Sequence, residues 1–401
     1  MEYAVAIVAD DLTGAADTGS AFATAGLSTI VSWSRIALAG ARFDADVVSL
    51  DLETRIGDAV SAQETTLRVV RTLRHAGARA IYKKCDSMLR GHIGEEVAAA
   101  ISAWHPSSLG LVAPAFPAAG RVTIAGRQHV DGVALDRPAI ASTLQDAGLS
   151  IRSVDLETIR RSGLDEWLHS CRAARIDAVV FDAETADDVR AIARAGARLG
   201  PAVVWVGSGG LARALPEALK LSRAAAPDVT PDIVASGPIL FVVGSTSKIA
   251  RLQAGRLVAS GVRHVPVAIE VLVGTRGTDD EAGIANEILH ELRDGRDVLV
   301  TPGGLDDVNV REKPMAARLG EMLRPCASAA RGVVVTGGDT ATGILRAFDT
   351  SALRLIDEIE PGVPLALSVA PRPLAVVTKA GAFGDALSLV RAGARLRGLF
   401  T

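Results

Sequence analysis

Short runs of apolar residues, many of them β-branched, alternate along almost the whole chain with longer segments whose apolar residues recur every three or four positions. The first pattern predicts β-strands and the second predicts amphipathic helices. The strand runs are apolar at consecutive positions, which is typical of parallel strands that helices cover on both faces. We therefore predict an α/β fold. The expected strands are 3–10, 28–33, 45–51, 78–86, 109–116, 177–183, 201–208, 238–245, 264–269, 297–303, 332–338 and 374–381, and the expected helices include 57–76, 184–199, 246–260, 279–294 and 341–348.

The segment 222–238 divides the chain into two strand–helix series. It contains three prolines among small and polar residues, a composition that indicates a linker. At 401 residues the chain is also long enough for two domains, each with its own core. We expect residues 1–230 and 231–401 to form two domains, each a largely parallel sheet flanked by helices.

Charge and cysteine content narrow the class of partner. The net charge is −3 and no long run of one sign occurs, so nucleic acid and anionic membranes are poor candidates and a small molecule is the better one. The three cysteines are far apart, which argues against a disulfide framework or a thiolate metal site. No signal segment precedes the first strand, and no apolar run approaches the ~20 residues that cross a bilayer. These features predict a cytoplasmic protein.

Two adjacent carboxylates, Asp10 and Asp11, follow the first strand and precede Thr13-Gly14. Ligands of open parallel sheets bind outside the carboxyl ends of the strands. Carboxylates there hold polyol hydroxyls, accept a proton or lie near a metal. The alternative is that one of them only caps the next helix. Because one cap needs one carboxylate, we favour a functional pair.

The stretch "YKKCDSMLRGHIGEE" (82–96) follows the fourth strand. Lys83 and Lys84 end that strand, so their side chains are expected on opposite faces of the sheet. Hydroxyl and arginine groups at a helix start suit a carboxylate or a phosphate, and a surface salt-bridge cluster is the alternative. In the loop 114–123, Gly120-Arg121 suits a pocket wall.

The stretch 206–215, "VGSGGLARAL", has three glycines between an expected strand and an expected helix. It reads equally as a phosphate nest or as tight strand–helix packing.

Four turns in the second half are rich in glycine, serine and threonine, and each follows an expected strand: 244–247, 303–304, 337–340 and 379–384. Backbone donors in such turns can converge on a polyphosphate, with Lys379 as a charge partner. Neither GxxxxGK[ST] nor GxGxxG occurs, so neither standard nucleotide fingerprint applies. An acidic half and a phosphate-binding half together predict phosphoryl transfer from a nucleoside triphosphate to a small hydroxylated acid.

Six motifs occur in an order similar to that of the four-carbon acid sugar kinase family: "ADDLTGAAD", "YKKCDSMLRG", "PAFPAAGR", "GSGGLARAL", "VTGGDTA" and "VTKAGAFGD". The resemblance extends from about residue 3 to 395. It implies an N-terminal sugar-acid-binding domain and a C-terminal nucleotide-binding domain. It also implies ATP and Mg²⁺ as cosubstrate and cofactor, and threonate, erythronate or an oxo-tetronate as acceptor.

The same resemblance assigns roles to individual residues. Asp10 and Asp11 would hold substrate hydroxyls, one of them as general base, and Arg90 would be the fork for the carboxylate. From the mechanism of phosphoryl transfer, we also expect Asp339 to contact the metal, directly or through water. The residues that would grip the sugar acid are Lys83, Asp86, Ser87, Arg90 and Gly91. Those that would bind the nucleotide are Ser245, Ser247, Gly337, Gly338, Asp339, Thr340 and Gly381.

Two departures from the family pattern concern the sugar side. Met88 and His92 stand where the family usually has threonine and asparagine, and the loop after Gly120-Arg121 is shorter. The identity of the acid therefore stays open. So do two other functions: a lyase or dehydrogenase acting on the same hydroxy acids, and a sensor that binds sugar acid and nucleotide without catalysis. The oligomeric state is also open, with a homodimer among the alternatives.

Overall fold

A computed structural model describes residues 2–33, 43–221, 237–275, 278–303 and 313–399. The chain forms two compact units, residues 1–226 and 227–401, so the expected two-domain α/β architecture is confirmed. Most of the expected linker, the boundary near residue 230 and Gly304 lie outside the described residues. The exact boundary therefore stays a prediction.

The first unit begins with a strand and alternates strands with helices. Its described strands are β1 Val5–Ala9, β2 Thr29–Ser32, β3 Val47–Asp51, β4 Ile81–Lys84, β5 Leu109–Ala113, β6 Arg121–Ile124, β7 Arg127–Val130, β8 Val133–Ala134, β9 Ile151–Val154, β10 Ala178–Phe181 and β11 Val203–Gly207. Its described helices are α1 Leu12–Ala23, α2 Ala59–His75, α3 Ile93–Trp104, α4 Ile140–Asp146, α5 Leu156–Arg160, α6 Leu164–Ala173, α7 Ala186–Ala197 and α8 Gly209–Ala218.

The main sheet of the first unit runs in the order β2-β3-β1-β4-β11-β5-β10-β9 over the described part of the chain, and neighbouring strands are parallel. The sheet has a hydrophobic core on each face, and successive residues of β1 point into opposite cores. Ile7 belongs to the same core as Trp205, and Val8 belongs to the same core as Trp104. Helices thus cover both faces, as the continuous apolar runs predict.

The strand order creates a crevice beside β1. The chain places β3 and β2 on one side of β1 and then crosses to β4 on the other, with Val8 opposite Lys83. In open α/β sheets, this change of direction is where ligands bind, at the carboxyl ends of the strands. The segments that follow β1, β3 and β4 therefore meet at one edge.

A small antiparallel sheet, β6-β7-β8, lies against this edge. Thr123 and Ala183 exchange backbone hydrogen bonds, and Gln128 Nε2 donates to the Ser87 carbonyl at 3.1 Å. Asp182, after β10, accepts from the amides of Ala125 and Gly126. The sequence patterns gave no expectation of this sheet. Its short strands are half-exposed and lack the apolar runs that predict strands.

The second unit also alternates strands and helices. Its described strands are β12 Ile239–Val243, β13 Arg263–Val267, β14 Val298–Pro302, β15 Gly332–Thr336, β16 Ala352–Glu360, β17 Val363–Val369 and β18 Ala375–Lys379. Its described helices are α9 Lys248–Ala259, α10 Ile269–Leu272, α11 Thr278–Arg293, α12 Lys313–Leu323, α13 Gly338–Ala347 and α14 Ser388–Leu399.

Five strands of this unit, in the order β13-β14-β12-β15-β18, are parallel. β17 and β16 then continue the sheet antiparallel. This hairpin was not expected, although Pro361-Gly362 marks its turn and Gly362 has φ +84°. The alternation of "LRLIDEIE" fits its half-buried first strand.

Candidate functional site

Arg55 joins the two carboxylates that follow β1. Its Nε and Nη2 donate to Asp10 at 2.8 Å, and its Nη1 and Nη2 donate to Asp11 at 2.5 and 2.8 Å. Asp10 is buried, whereas the side chain of Asp11 is 15% exposed. Burial alone would raise the pKa of Asp10, but Arg55, Lys83 and Lys84 hold that pKa below its ordinary value.

Asp11 also caps helix α1. Its Oδ1 accepts from the Gly14 amide at 2.9 Å, and its Oδ2 accepts from the Thr13 hydroxyl at 2.8 Å. The capping interpretation thus describes Asp11 correctly, but the cap leaves Asp10 unexplained. Because Arg55 grips both residues, the two carboxylates form one charged group at the carboxyl end of β1.

The turn after β4 is organised by Asp86. This buried carboxylate accepts from Arg90 Nε at 2.7 Å and Nη2 at 2.9 Å, and it accepts from the amides of Met88 and Arg90. Although burial opposes ionisation, the hydrogen bonds from Arg90 and the charges of Arg55, Arg90 and Lys84 hold the pKa of Asp86 far below its usual range. Arg90, the expected carboxylate fork, thus has two of its donors on Asp86 and is half-exposed.

Gly91 closes this turn against the aspartate pair. Its φ is +86°, and a Cβ at this position would lie 2.9 Å from Asp10 Oδ2. Both facts favour glycine. Ser87 is buried in the same turn, and its carbonyl accepts from Gln128 of the small sheet. The structure therefore brings the expected residues Asp10, Asp11, Asp86, Ser87, Arg90 and Gly91 together.

Lys83 and Lys84 point to opposite faces of the sheet, as their positions in the strand predict. Lys83 Nζ pairs with the buried Glu96 at 2.9 Å and donates to the Lys84 carbonyl. Lys84 lies on the α1 face, where its Nζ would be 3.0 Å from a Cβ built on Gly14. Among the residues that the structure describes, Lys84 Nζ makes no hydrogen bond or ion pair, although its charge acts on Asp10, Asp17 and Asp86. Lys83, which the resemblance placed on the sugar acid, has another partner.

Two further buried carboxylates lie near the pair. Burial, together with the charge of Asp11, raises the pKa of Asp51 well above its ordinary value. Burial also raises the pKa of Asp17, whose Oδ1 lies 3.7 Å from Arg213 Nη1. Asp51 is thus biased towards its neutral form, which leaves the cations of this edge less compensated.

The glycines of "GSGG" serve packing. Ser208 caps α8, and a Cβ on Gly209 would lie 2.7 Å from Asp17 Oδ2, while one on Gly210 would lie 2.2 Å from the Ala115 carbonyl. Of the two interpretations left open by the sequence, these contacts favour tight strand–helix packing.

Arg55 is the residue that the sequence analysis missed. It lies four residues after β3, in the loop "LETR", which has no glycine or paired carboxylates to mark it as a site. The positional signal was present, because β3 is adjacent to β1 and its carboxyl end faces the same edge.

In the second unit, three of the four expected turns follow neighbouring strands. β12, β15 and β18 are adjacent, with Val243 opposite Thr336 and Thr336 opposite Lys379. Ser247 Oγ donates to the Gly381 carbonyl at 2.6 Å, and a Cβ on Gly381 would lie 1.8 Å from Ser245 Oγ. The structure thus brings Ser245, Ser247 and Gly381 into direct contact.

The turn after β15 lies beside them. Gly337 has φ +103°, and a Cβ on it would lie 3.7 Å from the Ser245 amide and 3.5 Å from Thr340 Oγ1. Gly337 caps α13 without a side-chain hydrogen bond, whereas Ser247 caps α9 with its hydroxyl. The first turn of α13, which includes Gly338, Asp339 and Thr340, therefore presents backbone amides that a phosphate suits.

A magnesium ion fits this turn only in company with phosphate. Within the described ranges, no group of three or more His, Cys, Asp or Glu side chains could hold a metal by itself. Mg²⁺ on a nucleotide commonly takes one or two carboxylates and completes its shell with phosphate and water. Asp339, exposed in the first turn of α13, is a carboxylate of this kind.

Comparison with known proteins shows the family to which the chain belongs. A family model described as a sugar-binding N-terminal domain matches residues 5–215, and one described as a nucleotide-binding C-terminal domain matches residues 240–389. A D-threonate kinase of Cupriavidus necator is 38% identical, over 96% of this chain and 95% of that protein. The chain belongs to the four-carbon acid sugar kinase family. The expected family and the phosphotransferase class are thereby confirmed.

Other members of the four-carbon acid sugar kinase family also match over nearly the full length. A D-threonate kinase of Bordetella bronchiseptica is 34% identical, over 98% of this chain and 97% of that protein. A 3-oxo-tetronate kinase of Cupriavidus necator is 29% identical, over 94% of this chain and 93% of that protein.

A solved structure from Haemophilus influenzae, of the domain-of-unknown-function family DUF1537, has a TM-score of 0.71 at 19% identity, over 99% of this chain and all of that one. That structure shares the fold of this chain.

No helix in the described parts of the chain is long and apolar enough to span a membrane.

Proposed function

We propose that this protein is an ATP-dependent kinase that phosphorylates a small sugar acid of the D-threonate type. The observation that carries the proposal is the cluster of Arg55, Lys84 and Arg90 with the paired carboxylates Asp10 and Asp11 at one edge of the first unit. Two relatives above 30% identity are named D-threonate kinase, which supports D-threonate as the first acid to test.

Charge supports an acidic substrate at this edge. Lys84 is 4% exposed as a residue, and its Nζ has no ion-pair partner in the described part of the chain, so its charge is available to an anion. A substrate carboxylate would compensate this charge, and Arg90 would add the donors that Asp86 leaves unused. We therefore transfer to Lys84 the role that the resemblance gave to Lys83, whose charge Glu96 already compensates.

The carboxylates of this edge would hold the hydroxyls. Asp10 is buried and accepts from Arg55, so its role would be to orient the Arg55 guanidinium and to accept a hydrogen bond from a substrate hydroxyl. Asp11 is more exposed and is the better candidate to accept the proton of the reacting hydroxyl. Phosphoryl transfer depends mainly on position and on stabilisation of charge, so the location of Asp11 matters more than its strength as a base.

The second unit would bind ATP through the turns after β12, β15 and β18. Ser245, Ser247, Gly337, Gly338, Thr340 and Gly381 would surround the phosphates. The amides of α13 would stabilise their charge, and Asp339 would hold Mg²⁺, which neutralises phosphate charge when bound. A cytoplasmic location and a homodimer stay predictions.

The test is ADP release by the purified protein with ATP and Mg²⁺ across a panel of C3 to C6 hydroxy acids. We expect release with one or a few four-carbon acids, D-threonate first. Binding of acid and nucleotide without ADP release would instead indicate the sensor. Conversion of an acid without consumption of ATP would indicate a lyase or dehydrogenase.

A further inference from the structure

Lys379, the last residue of β18, has an ammonium group that is turned inward. The residue has no exposed surface, and its Nζ donates to the carbonyls of Ala380 and Phe383 at 2.9 Å and to that of Gly381 at 3.4 Å. An ammonium has three N–H donors. All three are therefore directed at the turn that follows the strand, and none is left for a phosphate.

A second buried side chain holds the same turn. Gln253, on α9, donates through Nε2 to the Phe383 carbonyl at 3.1 Å and to the Asp385 carbonyl at 2.7 Å. Gln253 has no exposed surface. The Phe383 carbonyl thus accepts from Lys379 and from Gln253, two residues that are distant in sequence. The segment 380–385 is fastened from the sheet and from a helix together.

The fastened turn contacts the other two phosphate-side turns. The Gly381 carbonyl of this turn accepts from Ser247 Oγ, and the Gly381 backbone packs against the Ser245 side chain. The Lys379 carbonyl accepts from the Gly337 amide at 2.9 Å. A shift of the turn would therefore move Gly381 relative to both helix starts.

A buried ammonium is an expensive way to fill a core position. Burial lowers the pKa of Lys379 to about 7, opposed by the charge of Glu360. Leucine would fill the position without that cost, but it would remove one donor from each of the three carbonyls. Each carbonyl would keep one other donor: the Phe383 amide for Ala380, Ser247 Oγ for Gly381 and Gln253 Nε2 for Phe383. A lysine at this position is thus explained by the three carbonyls of the turn that its ammonium group holds in place.

We propose that Lys379 is a positioning residue that, with Gln253, holds the 380–385 turn in the geometry that binds the nucleotide, without touching phosphate itself. The inference rests on the proposed nucleotide site and replaces the expectation that Lys379 is a charge partner of the phosphates.

The test measures dissociation constants of ATP, ADP and AMP by calorimetry for the full-length protein and its Lys379→Met, Lys379→Arg and Gln253→Leu variants. If Lys379 positions the turn, Lys379→Met weakens all three nucleotides by a similar factor, about tenfold, which corresponds to about 1.4 kcal/mol. The ratio of ATP to ADP affinity then stays as in the wild type. Lys379→Arg, which keeps donors, retains more affinity than Lys379→Met.

Gln253→Leu should also weaken ATP, ADP and AMP by a similar factor, and it does so without a change of charge. This variant keeps the test decisive if Lys379→Met does not fold. The double variant should lose less than the sum of the two single losses, because both donors act on Phe383. Thr350→Val, a buried change beyond the other end of α13, is the matched control and should leave nucleotide affinity unchanged.

The outcomes separate the two proposals. A loss that grows with the number of phosphates would make Lys379 a phosphate ligand and overturn the inference. A fall in melting temperature with unchanged nucleotide affinity would make its role structural only and would also overturn it. If the wild type binds no nucleotide, the proposed function fails first and the inference fails with it.

Discussion

Arg55 donates to both carboxylate oxygens of Asp10, through Nε and Nη2, each at 2.8 Å. The two residues are 45 positions apart and follow adjacent parallel strands. The same guanidinium also reaches Asp11. The aspartate pair of the first motif therefore works with an arginine from the next strand end.

The Arg55 fork can be tested with a charge-conserving change. Arg55→Lys keeps the positive charge but loses the bidentate geometry, so Asp10 and Asp11 are no longer held in one orientation. We expect kcat/KM for the sugar acid to fall about 100-fold, or about 2.7 kcal/mol, with the Kd of ATP unchanged. Steady-state kinetics and calorimetry measure the two quantities.

Arg160→Lys is the matched control for this change. Arg160 grips Asp188 with the same two atoms, at 2.8 and 2.9 Å, in the same unit but outside the strand-end cluster. It should leave kcat/KM unchanged. Equal kinetic losses in both variants would show that Arg55 matters only for stability.

Lys83 and Lys84 should separate stability from binding. Lys83→Met leaves Glu96 as a buried, unpaired carboxylate, and we expect it to lower the free energy of unfolding by about 3–5 kcal/mol. Lys84→Met removes an ammonium that has no ion-pair partner in the described part of the chain, so it should cost less stability than Lys83→Met and should weaken sugar-acid binding. Urea unfolding and acid titration of both variants provide the comparison. The opposite pattern would return the substrate role to Lys83.

Gly91→Ala should disturb the aspartate pair. The variant combines a strained φ with a Cβ 2.9 Å from Asp10 Oδ2, and we expect it to raise KM for the acid in addition to costing about 1–2 kcal/mol of stability. Gly148→Ala has the same φ of +86° but no atom within 4 Å of the added Cβ. A similar KM increase in both variants would assign the effect to backbone strain.

The pKa of Asp86 fixes the sign of a pH effect. Because the folded state depresses this pKa, the stability that Asp86 contributes is present above the unfolded pKa of about 3.9 and is lost as the pH falls below it. The difference in unfolding free energy between wild type and Asp86→Asn should be constant from pH 5 to 7. Below about pH 4 it should narrow by up to about 1.4 kcal/mol per pH unit. A difference that stays constant down to pH 3 would contradict the ion pair with Arg90.

Much of this architecture was predictable from local pattern. Most buried parallel strands are long apolar runs, and all twelve expected strands occur. The residues after β1 and β4 could be selected by position alone. The half-exposed strands β6 to β9 and β16 lack that signal, whereas β17, which is buried at six of its seven positions, carries it but was not among the expected strands. Partners that meet only through the fold, such as Lys83 with Glu96, could not be read from spacing.

The most direct test of the central claim is the product itself. The purified protein is incubated with ATP, Mg²⁺ and D-threonate, and mass spectrometry and phosphorus NMR examine the acid. We predict an acid that carries one phosphoryl group, formed in equal amount with ADP by the wild type. Asp11→Asn should form it at least about 100-fold more slowly with an unchanged Kd for ATP. Four-carbon acids that remain unphosphorylated, or Asp11→Asn working at the wild-type rate, would contradict the account.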